Sequence, residues 1–149
     1  MREWENTMRQ VKTAFNDKVF STAISLNKKA LSLANKAFDK NVSQDAHKAV
    51  ASVMVSYFSL ADSYIEIGSF DQAYKMYQKS FMFIQKLSNE LHKNTELKIA
   101  IYKAISQLNN EWYSFKQRHE GNLLSTHRIS PRDFKLNLGQ LLKTHLATH

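Results

Sequence analysis

Between Val50 and Gln85 apolar residues return every three or four positions, and the rhythm is broken once, at Gly68-Ser69. That period belongs to an α-helix, in which such residues stack into a stripe along one side. In the first half of the stretch, Val50, Val53, Met54, Tyr57, Leu60, Ala61 and Tyr64 form one stripe, and Val55, Phe58 and Ile65 add a second. A helix apolar on two sides packs on two sides, so this segment is expected at the centre of the fold. Asp62, Glu66 and the interspersed serines argue against a membrane span.

The same period runs through most of the chain. Only three Gly and one Pro punctuate 149 residues, which leaves little room for hairpins between strands. The first helix is expected over about Glu3 to Phe15, and the second from Val19 or Phe20 to about Lys40. A break at Asn41 to Ser43, with Ser43 as N-cap, precedes a third helix ending near Ile67. Gly68 stops it, as a residue that accepts positive φ. The fourth helix is expected from Phe70 to about Leu91, with a break at His92 to Asn94. The fifth spans Thr95 to His119 and ends at Glu120, Gly121 and Asn122.

Beyond this, Leu123 to Ile129 reads as a linker. Pro131 then opens a short helix to about Leu146, with Phe134, Leu138, Leu141, Leu142 and Leu146 on one side. The expected fold class is therefore all-α, a right-handed stack of antiparallel helical hairpins with five long helices and a short C-terminal one. Residues 1–121 form the helical domain, and 122–149 a basic linker and helix that pack on the domain or on a partner.

Composition narrows the function. The absence of cysteine removes disulfides, thiolate nucleophiles and Cys-ligated zinc. The opening MREWENTMRQ lacks the apolar core of a leader, so a cytoplasmic address is expected. No phosphate-cradling Gly loop or nucleophile motif occurs. His145 and His149 stand four apart, but no carboxylate accompanies them. Catalytic residues, a metal site and cofactors are therefore not expected, and the chain reads as a non-enzyme. The net charge of +8 keeps the protein soluble and also favours acidic partners. Lys116, Arg118, Arg128, Arg132, Lys135 and Lys143 gather toward the C-terminus, which makes nucleic-acid association the runner-up reading.

The chain aligns with itself at an offset of 50 residues, Phe20, Ala23 and Ala30 falling under Phe70, Ala73 and Ser80. The central unit, with Tyr57, Leu60, Ala61, Tyr64, Gly68, Phe70, Ala73, Tyr77 and Ser80, resembles a tetratricopeptide repeat. Gln85 stands where that pattern has a Pro. Residues 4–35 match in their second helix only, and the resemblance ends by Gly121.

The resemblance implies a protein-binding adaptor whose first helices line a concave groove for a peptide or a partner helix. By position, the groove would be lined by Met8, Lys12, Phe15 and Asn16 on the first helix. The third would add Val55, Phe58, Asp62, Ile65 and Glu66, and the fifth Ile105, Leu108, Trp112, Phe115 and Lys116. Met8, Phe58 and Asp62 do not fit the Lys/Asn clamp with which relatives of this kind hold a C-terminal carboxylate. Because so many of these positions are apolar, the groove is expected to be covered by the C-terminal helix of the same chain or, in a homodimer, of a second copy. Trp112 would anchor it; alternatively Trp112 and Phe115 are core residues between the fourth and fifth helices.

Overall fold

The computed structural model describes residues 1–90 and 94–123. Five helices follow one another, α1 (Arg2–Asn16), α2 (Phe20–Gln44), α3 (Ala46–Glu66), α4 (Phe70–Asn89) and α5 (Thr95–His119), and a 3-10 turn covers Glu120–Asn122. Among the described residues there is no strand, so the all-α stack is the fold class. No helix among them is long and apolar enough to cross a membrane. The expected linker and final helix, the covering role given to that helix, the His145/His149 pair and most of the break before Thr95 lie outside the described residues.

Each helix packs on the next, and α3 also packs on α5. The central place expected for α3 follows: its neighbours are α2, α4 and α5, and it buries residues around most of its circumference, from Val50, Val53 and Met54 to Tyr57, Phe58 and Leu60. Small residues sit where helices cross closely. Ala23 and Ala30 of α2, Ala61 of α3 and Ala73 of α4 are fully buried, while Tyr74, Met54, Ile84, Ile101 and Leu108 fill the spaces between.

The 50-residue offset is repeated in the backbone. At the end of α3, Gly68 has φ +76, and Ser69 N donates to Tyr64 O at 2.9 Å. Fifty residues earlier, Lys18 has φ +61, and Val19 N donates to Ala14 O at 2.8 Å. Both are left-handed helix ends closed by a bond reaching back five residues. The end of α1 places a lysine where the end of α3 has the glycine that the sequence advertises.

One expected break is absent. α2 continues through Asn41, Val42 and Ser43 to Gln44, and Asp45 alone separates it from α3. Ser43 Oγ donates to Lys40 O at 2.9 Å, a bond within the helix, so it caps nothing. Asp45 is the N-cap: its backbone is extended and its carboxylate accepts from Lys48 N at 3.0 Å. The acid satisfies a free amide of the first turn and also suits the positive end of the helix. α4 ends two residues earlier than expected, at Asn89.

The serines of α3 explain how so polar a helix becomes central. Ser52, Ser56 and Ser63 are buried, and each donates to a carbonyl three or four residues back, at 2.7 to 3.1 Å. Two of them also tie helices together. Trp4 Nε1 donates to Ser56 Oγ at 2.8 Å, and the buried Asn27 Nδ2 donates to Ser63 Oγ at 3.1 Å.

Candidate functional site

The odd-numbered helices lie side by side and run the same way. Trp4, near the start of α1, bonds Ser56, whereas Phe15 and Asn16 at its end share a cavity with Ser59 and Asp62. Near the ends of α3 and α5, Asp62 feels the charges of Glu111 and Arg118. The concave side expected of α1, α3 and α5 therefore has one place where residues of all three converge, and Asp62 is at its middle.

On the α1 side, the cavity has a volume of about 200 Å³ and is lined by Met8, Val11, Lys12, Phe15, Asn16, Ser59 and Asp62. Its walls are mixed, apolar through Met8, Val11 and Phe15 and polar through Lys12, Asn16, Ser59 and Asp62. Phe15 is held by an edge-on contact with Phe20 of α2, ring centres 5.3 Å apart.

On the α5 side, the carboxylates gather. Asp62 and Glu66 stand one turn apart on one face of α3, and Glu111 reaches toward them from α5. The Asp62 carboxyl is pushed up from 3.8 to about 6, first by loss of solvation and then by Glu111 and Glu66, with Arg118 pulling weakly the other way. By surface area, however, Asp62 is exposed, as Glu66 is. The two statements agree for a group on a concave wall, which touches solvent through the mouth and protein on its other sides.

Beneath this cluster lies an aromatic floor. Tyr77 of α4 is 2% exposed, with its ring 6.2 Å from Phe58, 6.0 Å from Trp112 and 5.0 Å from Phe115, centre to centre. Tyr74 adds a contact to Trp112 at 5.6 Å. Burial raises the Tyr77 hydroxyl above its ordinary value, and the negative charges of Asp62 and Glu111 raise it further. At the C-terminal end, His119 stacks on Phe70 at 4.9 Å and is held below its usual range by burial and by Arg118.

The expected groove residues therefore divide. Met8, Lys12, Phe15 and Asp62 line one cavity, and Asn16 joins them. Glu66 is exposed beside Asp62, while Ile65, Val55 and Lys116 are half-buried, and Ile65 rests on the core. Phe58, Ile105, Leu108, Trp112 and Phe115 are buried. Of the two placements open to Trp112 and Phe115, the structure takes the core: their rings sit against Tyr74 and Tyr77 of α4. The wall is consequently less apolar than the positional transfer implied. Sequence reasoning did not single out Val11, Ser59, Glu111 or Tyr77 in this role. Glu111 carried a signal, as an acid inside the apolar stripe formed by Leu108, Trp112 and Phe115.

On the other layer, α2 and α4 expose Lys28, Lys29, Lys36, Lys40, Lys75, Lys79 and Lys86. A broad cleft of about 690 Å³ beside α4 is lined in part by Lys79, Met82, Phe83 and Lys86. Phe83 meets Phe38 of α2 edge-on at 5.3 Å. The molecule thus has an acidic spot on the layer of odd-numbered helices and a cationic surface on the layer of even-numbered ones.

Over residues 2–140 the chain matches the family described as "Protein of unknown function (DUF2753)", and it belongs to that family. No curated protein and no solved structure matches it.

Proposed function

We propose that this chain is a cytoplasmic, non-enzymatic interaction module that holds a peptide or a helix of another protein along α1, α3 and α5. The carrying observation is the convergence at Asp62: a cavity with apolar and polar walls on one side, and on the other the charges of Glu66 and Glu111 acting on its carboxylate. Mixed walls of this kind suit an extended or helical segment that brings both apolar and polar side chains. The likeness of Tyr57 to Ser80 to a tetratricopeptide repeat supports the same use of the odd-numbered helices.

A random 12-residue peptide library displayed on phage and selected on the full chain tests this. Peptides from this selection bind the wild type, lose binding to Ser59→Arg, which fills the cavity, and keep binding to Ser25→Arg on the exposed side of α2. Equal binding to both variants, or no enrichment, refutes the reading.

The exposed lysines of α2 and α4 favour a second reading, association with nucleic acid. It predicts binding that falls steeply with salt and weakens on Lys79→Glu with Lys86→Glu.

A further inference from the structure

We infer that the outer face of α5 is a self-association surface, on which the same face of a second copy of this chain docks antiparallel with Ser106 at the two-fold axis. Leu97, Ile101, Leu108, Trp112 and Phe115 turn one side of α5 into the core. On the other side Ile99, Tyr102, Ser106, Asn109 and Tyr113 follow one another at spacings of three and four, so they share a face. Tyr113 lies two positions from Glu111, whose charge acts on Asp62, and two positions turn a helix to nearly its opposite side. A second copy docked on this face therefore leaves the cavity at Asp62 open.

Two observations single out the face. The first is apolar exposure without charge. Among the described residues the exposed large apolar side chains are Val19, Ile67, Met82, Ile99, Tyr102 and Tyr113. Ile99 at 43%, Tyr102 at 43% and Tyr113 at 59% fall on this one stripe, and such grouping marks a docking surface. Every position of the stripe is neutral, whereas the exposed sides of α2 and α4 are set with lysines. A chain of net charge +8 repels its own copies, so a neutral face is where two of them can meet.

The second observation is that the stripe is its own complement. Ile99 and Tyr113 each lie seven residues from Ser106, about 10 Å along the helix axis. In an antiparallel pair centred on Ser106, Ile99 of each copy meets Tyr113 of the other, and Tyr102 comes beside Asn109. The small Ser106 stands where the two helices cross, the place that Ala61 and Ala73 take inside the fold. An isologous interface sets one patch against itself, and a stripe symmetric about a small residue meets that requirement.

From Ile99 to Tyr113 the face is about 21 Å long. A contact along one helix falls at or below about 1,200 Å², the range of weak and transient pairs, so a dissociation constant on the order of 10 to 100 μM is expected. Lys98, Lys103 and Lys116 flank the face in both copies, and added salt should strengthen the pair by screening them.

Sedimentation equilibrium of the full chain from about 1 to 500 μM tests this. The wild type is expected to approach the mass of a dimer; a wild type that stays monomeric overturns the inference. Ile99→Lys with Tyr113→Lys sets cations against each other at both ends of the pair and should raise the dissociation constant about 10-fold or more. Ile99→Lys with Tyr113→Glu sets opposite charges together and should recover most of that loss at low salt. A dimer indifferent to these charges forms on another face, which also overturns the inference. Because the chain has no cysteine, Ser106→Cys is a single reporter. Helix axes about 8 to 10 Å apart leave about 3.4 to 5.4 Å between facing Cα atoms, within reach of a disulfide. Under mild oxidation Ser106→Cys should form a covalent dimer about 10-fold faster than Ser32→Cys on the exposed side of α2, and equal rates refute the placement. Leu138→Ser with Leu141→Ser separates the remaining occupant, the chain's own C-terminal residues. An unchanged dimer supports the second copy; loss of the dimer assigns the face to those residues and overturns the inference.

Discussion

Replacing Asp62 with Asn separates what the carboxylate cluster costs from what it does. In the folded chain this carboxyl holds its proton up to about pH 6, whereas in the unfolded chain it releases it near 3.8. The folded state therefore binds more protons in between, and each step up in pH favours unfolding. The favourable contribution is complete below about pH 4 and is lost as pH rises through about 6. The displacement sets a ceiling of about 3 kcal/mol, and the exposure of Asp62 reduces it to roughly 1 kcal/mol. Asn has the same shape without the charge, so Asp62→Asn is expected to be more stable than the wild type by roughly 1 kcal/mol at pH 7 and no more stable at pH 4. Urea unfolding of both proteins between these values measures it, and their difference cancels the contributions of the remaining carboxylates. A difference that stays constant with pH, or that grows toward acid, refutes the reasoning.

Trp112→Ala should lower stability by about 3 to 5 kcal/mol, because a ring packed on Tyr74 and Tyr77 leaves a cavity when removed; thermal unfolding measures it, and a change below 1 kcal/mol would place Trp112 outside the core. Ser63→Ala leaves the buried Asn27 amide without its partner, whose Oδ1 already lacks one among the described residues, so a loss of about 1 to 3 kcal/mol is expected. In that background Asn27→Leu should recover part of the loss. The two left-handed helix ends should respond in opposite directions. Gly68→Ala is destabilising by about 1 kcal/mol although nothing lies within 4 Å of the added carbon, and Lys18→Gly is stabilising by a similar or smaller amount. Equal signs for this pair would contradict the backbone correspondence.

Periodicity made the helices legible because each one buries a stripe. The central rank of α3 was readable from its second stripe, and α5 begins and ends where its Asn and Gly flanks place it. Boundaries failed where a cap was chosen by residue type alone. Ser43 and Asp45 both carry capping groups, and what decides between them is whether the next turn continues the helix. Lys18 shows the complementary limit: the 50-residue offset aligns it with Gly68, but its own chemistry gives no sign of positive φ.

The site was legible by half for a different reason. Helical phase tells which residues share a face, and this was enough to bring Met8, Lys12, Phe15 and Asp62 to one cavity. It does not tell which neighbour that face meets. α5 has one strong stripe, and two helices, α3 and α4, compete for it. Tyr74 and Tyr77 supply the large aromatic surfaces that Trp112 and Phe115 pack against, so the apolar half of the stripe turns inward. That rotation carries Glu111, one position before Trp112, to the edge facing Asp62. The acidic spot is thus a consequence of core packing: the same aromatic contacts that turn Trp112 into the core leave Glu111 where its charge acts on Asp62.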